Sequence, residues 1–350
     1  METKIYTRTQ IPEAAAALAA GELVAFPTET VYGLGADATN EAAVKKVYQA
    51  KGRPSDNPLI LHVADVAAVE AAVADFPDKA RQLIKAFWPG SLTLIMTLKP
   101  NTFSKTVTGG LSTAAFRNPN NAATLALIKA LGRPIVGPSA NTSGKPSPTL
   151  AKHVYHDLKG KIAGILDDGP TGVGLESTVL DLSTETPVIL RPGAVTKADI
   201  EAVIGSIENN QHHVAADEIP KAPGMKYKHY APNAQVVIVP TPAEFQAALD
   251  WATAQHQPFG VLATDQQLAQ ATQVSAANQF SLGDTVETAS RALFAGLRYF
   301  DLKPEIKLIL AEGFPKTGLG VAYMNRLEKS AGQKYFSKDE WLMLYSNYTW

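Results

Sequence analysis

Cysteine is missing from the 350-residue chain, and that gap removes several chemistries at once. Disulfides, thiolate nucleophiles and cysteine-held zinc or iron–sulfur sites are excluded. An excess of either charge is missing too: 32 basic side chains face 33 acidic ones, for a formal net charge of −1. A surface built throughout for nucleic acid is therefore not expected, although a local basic pocket fits the balance. No apolar run reaches the ~18 residues of a membrane span. The polar, mixed-charge stretch Met1–Gln10 has no apolar core of a signal peptide. The expectation is a cytoplasmic protein without membrane contact. Familiar site signatures fail to appear as well. Gly169–Thr178 is Gly-rich but lacks the lysine of a phosphate-binding P-loop. There is no G-x-G-x-x-G opening a helix, no G-x-S-x-G elbow and no H-E-x-x-H. His153 and His156 have helical spacing, but without a third ligand they read as surface residues, and no metal site is expected.

What the chain does have is the composition of a packed globular protein, 45% hydrophobic and 19% charged. Its length suits about two domains of ~150 residues. From Leu23 to Arg191, short apolar runs alternate with Ala-rich stretches of helical periodicity. Leu23–Phe26, Pro58–Val63, Ser91–Leu98, Thr113–Phe116, Pro134–Gly137, Ile162–Leu166, Ser177–Leu182 and Val188–Leu190 read as strands. Ile11–Ala20, Glu41–Ala50, Asp65–Ala74 and Ala122–Leu131 read as helices. The alternation is irregular, which predicts a mixed sheet rather than a purely parallel one. The pattern stops between Glu201 and Pro232. A second α/β pattern starts at Gln235, with strands at Val236–Val239, Phe259–Ala263 and Ile306–Ala311 and helices at Ala243–Ala254, Glu287–Phe300 and Ala322–Ser330. The expected division is 1–205, a linker or lid over 206–233, and 234–350.

Polar clusters stand at the ends of the expected strands, where α/β folds keep their sites. They are Phe26-Pro-Thr-Glu-Thr-Val-Tyr-Gly-Leu-Gly35, Lys51-Gly-Arg-Pro-Ser-Asp-Asn-Pro-Leu-Ile-Leu-His62, Thr113-Ala-Ala-Phe-Arg117, Pro138-Ser-Ala-Asn-Thr-Ser-Gly-Lys-Pro-Ser147, Glu176-Ser-Thr178 and Leu190-Arg-Pro-Gly193. Each alone reads equally well as a polar turn. Together they set hydroxyls, amides and arginines behind buried strands with few acids nearby, a composition suited to binding a polyanion. The run Ala222-Pro-Gly-Met-Lys-Tyr-Lys-His-Tyr-Ala-Pro232 is too rich in aromatic and basic residues for an ordinary spacer. It reads either as a lid hinged at Gly224 or as glue between the domains.

In order and approximate spacing these motifs resemble the long, two-domain form of L-threonylcarbamoyladenylate synthase. The motifs that carry the likeness are Pro27–Gly35, Lys51–Pro54, Pro138–Asn141, Glu176–Thr178, Arg191–Gly193 and the long-form run Pro223–Pro232. The resemblance spans essentially the whole chain. It implies an α/β fold: an N-terminal YrdC-like twisted mixed sheet with helices, followed by a smaller Rossmann-like parallel α/β domain. It implies a nucleotidyltransferase that turns L-threonine, bicarbonate and ATP into threonylcarbamoyl-AMP and pyrophosphate. The product would serve a tRNA threonylcarbamoyl transferase acting on the adenosine next to the anticodon.

By the same resemblance Thr30, His62, Arg117, Gly137 and Ser177 would contact threonine. Arg53, Asn57, Thr113, Ser139, Ser147, Arg191 and Tyr230 would contact ATP, and Lys51 and Arg53 would act catalytically at the phosphates. No tightly bound cofactor is implied; Mg²⁺ would arrive with ATP. Two departures bear on local pocket shape: Gly137 stands where a small alanine is expected, and Phe116 where a branched aliphatic is usual. One rival is a double-stranded RNA-binding module without adenylate chemistry, and RNA contact is compatible with either reading. Another is a carbamoyl-transferring maturation factor, disfavoured because such proteins carry Cys-rich zinc modules. The C-terminal domain has no comparably dense polar cluster and is expected to be structural or regulatory.

Overall fold

The computed structural model describes residues 2–209, 220–221 and 229–337. The chain divides into two compact units, residues 1–228 and 229–350. Among the described residues, no helix is long and apolar enough to cross a membrane.

The first unit is built on one sheet of 11 strands. In chain order they are β1 (Lys4–Tyr6), β2 (Val24–Phe26), β3 (Gly33–Asp37), β4 (Ile60–His62), β5 (Leu92–Thr97), β6 (Thr113–Arg117), β7 (Ile135–Val136), β8 (Gly164–Leu166), β9 (Thr178–Asp181), β10 (Val188–Arg191) and β11 (Glu208–Asn209). They lie side by side in the order β1-β8-β2-β3-β7-β4-β6-β5-β9-β10-β11. Parallel and antiparallel pairs are interspersed: β4 is parallel to β6, β6 antiparallel to β5, and β5 parallel to β9. The mixed sheet expected from the irregular alternation is therefore present, and each of the eight expected strands of this unit lies in it.

Side chains alternate across a strand, so the sheet has two distinct faces. Leu61, Leu94, Phe116 and Leu180 point into the main core, packed with residues of the surrounding helices. Their neighbours Ile60, Ile95, Ala115 and Val179 form a separate small cluster on the other side. Helices are bounded by local chemistry. Glu41–Lys51 starts at Asn40, whose side chain accepts the Ala43 amide, and stops at Gly52 with φ 62°, which leaves Lys51 as its last residue. Ala122–Leu131 is closed in the same way by Asn121 and Gly132.

Strand β3 falls inside the motif that reads as a turn. Gly33 and Gly35 are there for close approach: a Cβ on Gly33 would lie 2.5 Å from Phe26 Cζ, and one on Gly35 2.7 Å from the Val24 carbonyl oxygen. Regular structure also continues past Glu201. A helix over Lys197–Ile204 is capped by Thr196, and β11 pairs parallel with β10.

The second unit carries β12 (Gln235–Val239), β13 (Phe259–Ala263), β14 (Gln279–Ser281) and β15 (Leu308–Glu312), ordered β12-β15-β13-β14 and parallel throughout. Helices Phe245–Ala254, Val286–Asp301 and Gly320–Ala331 cover it. This is the small parallel α/β domain that the sequence pattern implies.

Candidate active site

Strand register brings together residues of four strands, β4, β6, β5 and β9. His62 pairs with Arg117 and Ile60 with Ala115 between β4 and β6; Ile95 pairs with Ala115 between β5 and β6; Thr93 pairs with Val179 between β5 and β9. Directly paired residues share a face. His62, Arg117 and Thr93 therefore stand on the side whose apolar floor is Ile60, Ile95, Ala115 and Val179. Thr113, two residues before Ala115, stands half-buried on the same side.

Arg117 is 4% exposed, and its guanidinium is held on three sides. Nε donates to the Gly90 carbonyl at 3.2 Å and Nη1 to Thr30 Oγ1 at 2.8 Å. Nη2 lies 2.6 Å from Glu29 Oε1. That ion pair is off the hydrogen-bonding direction, so the Nη2 hydrogens are not taken up by Glu29. Thr30 is fully buried, and its hydroxyl also meets Thr28 Oγ1 at 2.8 Å. These contacts fix the loop after β2 against the end of β6.

His62 is buried with its ring edge-on to Phe26, 5.1 Å between centroids. Its Nδ1 has no hydrogen-bond partner among the described residues. Burial, and then the nearby Arg117 charge, push its pKa down to about 3, so the imidazole is neutral near pH 7. Gly137 follows β7 and donates its amide to the Ile60 carbonyl at 2.9 Å. A Cβ there would lie 2.6 Å from His62 Cε1 and Nδ1 and from Phe26 Cζ. Glycine rather than alanine at 137 is thus matched to this placement of the two rings.

Ser177 is fully buried one residue before β9, with Oγ 2.7 Å from Thr93 Oγ1. Arg191, at the end of β10, reaches back to it: Nη2 donates to Ser177 Oγ at 3.1 Å and Nε to the Ser177 carbonyl at 3.0 Å. Two of the motifs, Glu176–Thr178 and Arg191–Gly193, are therefore one structural unit. Gly193 completes it, because a Cβ there would come within 2.2 Å of the Thr178 amide nitrogen.

The Lys51–Asn57 segment is arranged differently from a free basic loop. Lys51 is 2% exposed, and its Nζ donates to the carbonyls of Asn141, at 2.6 Å, and of Ser139. The ammonium thereby ties the end of its helix to the Pro138–Ser147 loop. Arg53 Nη2 donates to the carbonyls of Asn57 and Pro58 at 3.3 and 3.2 Å. Asn57 is 2% exposed, and its Oδ1 has no hydrogen-bond partner among the described residues. Ser139 is half-buried and bridges to Gly33 of β3, while the fully buried Ser147 donates to Glu176.

Sequence reasoning passed over Glu29, Ser91, Thr93 and Asn120 as individual site residues. Glu29 lies inside a quoted motif, and its position next to Thr30 was the available signal. Ser91 and Asn120 meet Glu29: Ser91 Oγ donates to Oε1 and the Asn120 amide to Oε2, each at 3.0 Å, and the Ser91 carbonyl also accepts the Thr178 amide at 3.0 Å. Tyr230 belongs to the second unit. It is 5% exposed with φ 65°, its ring 5.2 Å from Phe294 and 5.8 Å from the Arg326 guanidinium carbon. The proposed lid falls largely outside the described residues, including Pro223, Gly224, Met225, Lys226 and Lys228.

Comparison with known proteins agrees with this architecture. Residues 16–193 match the Sua5/YciO/YrdC family model described as "Telomere recombination". Residues 195–332 match the model described as "Threonylcarbamoyl-AMP synthase, C-terminal domain". A threonylcarbamoyl-AMP synthase of Bacillus subtilis is 52% identical over 92% of this chain and 93% of its own length. One from Pyrococcus abyssi is 46% identical over 90% and 92%. A crystal structure of P. abyssi Sua5 complexed with L-threonine superposes with a TM-score of 0.88 at 43% identity, covering 96% of this chain and 99% of that one. These likenesses favour the synthase over the RNA-binding rival. The chain belongs to the threonylcarbamoyl-AMP synthase family, with a YrdC-type domain followed by the family's C-terminal domain.

Proposed function

We propose that this protein condenses L-threonine, bicarbonate and ATP to threonylcarbamoyl-AMP, pyrophosphate and water, on the sheet face that carries Arg117. The observation that carries the reading is the buried Arg117 guanidinium, anchored through Nε and Nη1 while the Nη2 hydrogens remain for an incoming carboxylate. Its support is the likeness to a protein crystallised with L-threonine.

Thr30, His62, Gly137 and Ser177 surround the amino acid, and Arg53, Asn57, Thr113, Ser139, Ser147, Arg191 and Tyr230 serve ATP. The amine is carboxylated, and a carbamate oxygen then attacks the α-phosphorus as pyrophosphate leaves. No protein nucleophile is needed. The residues position mutually repelling anions and stabilise the charge that develops on the leaving group. Arg191, donating to Ser177, links the amino-acid side to the nucleotide side. Lys51 and Arg53 act at the phosphates, Lys51 by holding the Ser139–Asn141 backbone as well as by its charge. Mg²⁺ enters with the nucleotide. The neutral His62 adds no charge beside the amine that must react. The product passes, in the cytoplasm, to a transferase that modifies tRNA next to the anticodon.

Pyrophosphate release that requires both threonine and bicarbonate is the expected result. Release that is independent of either one would refute the reading.

A further inference from the structure

Glu29 is the acid in contact with the Arg117 guanidinium, and it is not free to move away from it. Oε1 accepts from Ser91 Oγ and Oε2 from the Asn120 amide, each at 3.0 Å, while the Glu29 carbonyl accepts the Val173 amide at 2.7 Å. The residue is thus held from three chain segments, its carboxylate from two of them. It stands 2.6 Å from Nη2, and the two side chains are 5% and 13% exposed. Because the approach is off the hydrogen-bonding direction, Glu29 balances the arginine's charge without occupying its Nη2 hydrogens.

A bare anion entering here meets a cation and a fixed anion side by side, in surroundings of low dielectric, and gains little net attraction. A zwitterion gains from both, carboxylate toward Arg117 and ammonium toward Glu29. We infer that Glu29 sets the charge specificity of the amino-acid subsite. Paired with Arg117, it admits a zwitterionic amino acid and rejects the corresponding 2-hydroxy acid, which has no amine to carboxylate. Glu29 acts on the ligand through this pairing and is a positioning residue. The inference rests on reading Arg117 as the carboxylate partner proposed above.

The test is calorimetry on the full chain with ATP present, titrating L-threonine and, separately, its hydroxy-acid analogue 2,3-dihydroxybutanoate. The wild-type protein is expected to prefer threonine. In Glu29→Gln that preference should narrow by about tenfold or more, because a near-isosteric neutral group leaves the arginine uncompensated. Glu29→Asp, which keeps the charge, should restore much of the preference. A Glu29→Gln protein that loses affinity for both ligands in equal proportion would overturn the inference, since a purely structural role predicts that result. If Glu29→Gln does not fold, Ser91→Ala, which removes one anchor of Oε1, should shift the ratio in the same direction, and an unchanged ratio there overturns the inference too. Failure of the underlying reading has a separate signature: wild-type protein that binds no threonine at all.

Discussion

Replacing Arg117 by alanine perturbs the candidate site at its most constrained point. The guanidinium makes two hydrogen bonds, Nε to Gly90 O at 3.2 Å and Nη1 to Thr30 Oγ1 at 2.8 Å, and one ion pair at 2.6 Å to Glu29. Two effects of different size follow. Removing one partner of a buried ion pair typically costs 3–5 kcal/mol, because the other charge is left uncompensated. Glu29 keeps two further donors and is 13% exposed, so about 2–3 kcal/mol of lost stability is expected, at or below the lower end of that range. Separately, a ligand carboxylate loses hydrogen bonds to a charged group, worth roughly 1.5–3 kcal/mol, or about 10- to 150-fold in affinity. Threonine affinity should therefore fall by that factor while ATP affinity changes little, because Arg117 contacts the Thr30 loop and not the Lys51–Asn57 segment. Calorimetry with each substrate, at a temperature where circular dichroism shows the variant folded, separates the two effects. A variant that is destabilised but binds threonine as well as the wild type would remove Arg117 from the site and leave it a purely structural residue.

Lys51→Met keeps the buried stem and removes the donor to the Ser139 and Asn141 carbonyls; turnover at saturating ATP should drop. A change confined to the Michaelis constant for ATP would show that the lysine serves ground-state binding alone. His62 has a folded pKa of about 3 against the ordinary imidazole value of 6.5, so the unfolded state binds the extra proton between those pH values. Stability from this group is complete above about pH 6.5 and is lost as pH falls toward 3. Acid titration of the melting temperature should be shallower in His62→Phe over that window, and parallel wild-type and variant curves would refute the assignment. Tyr230→Ala truncates a ring packed on Phe294 and Arg326 in the second unit, so a stability loss of about 3 kcal/mol should appear in denaturant melts. An unchanged midpoint would show that the ring contributes no packing energy.

The sequence is most legible where side-chain chemistry is periodic. Val24–Phe26 and Leu92–Thr97 are largely apolar runs, and the Ala122–Leu131 helix has both its caps written in asparagine and glycine. Strand β3 was hidden because Gly-Leu-Gly-Ala-Asp has no apolar alternation. Its pairing depends on Phe26 lying over Gly33 and Gly35, a contact that no local pattern announces. Strand β11, Glu208–Asn209, is exposed and polar, and only its partner Val188–Ile189 makes it a strand. The short edge strand Lys4–Tyr6 depends in the same way on Gly164–Leu166.

The site was legible as a set of residue types but not as a set of contacts. Arg117 and His62 belong to separate motifs, and the β4–β6 register makes them neighbours. Lys51 and Arg53 read as cations for phosphate, yet much of their hydrogen bonding in the folded chain goes to backbone carbonyls of the loops that carry Ser139, Asn141, Asn57 and Pro58. This is a consequence of burial. An ammonium removed from water must be given acceptors by the protein, and carbonyl oxygens supply them without neutralising its charge. At Arg117 the chain supplies a carboxylate as well, Glu29. Burial thus gives each of these cations fixed protein acceptors: backbone carbonyls for Lys51 and Arg53, and a carbonyl, a hydroxyl and a carboxylate around Arg117.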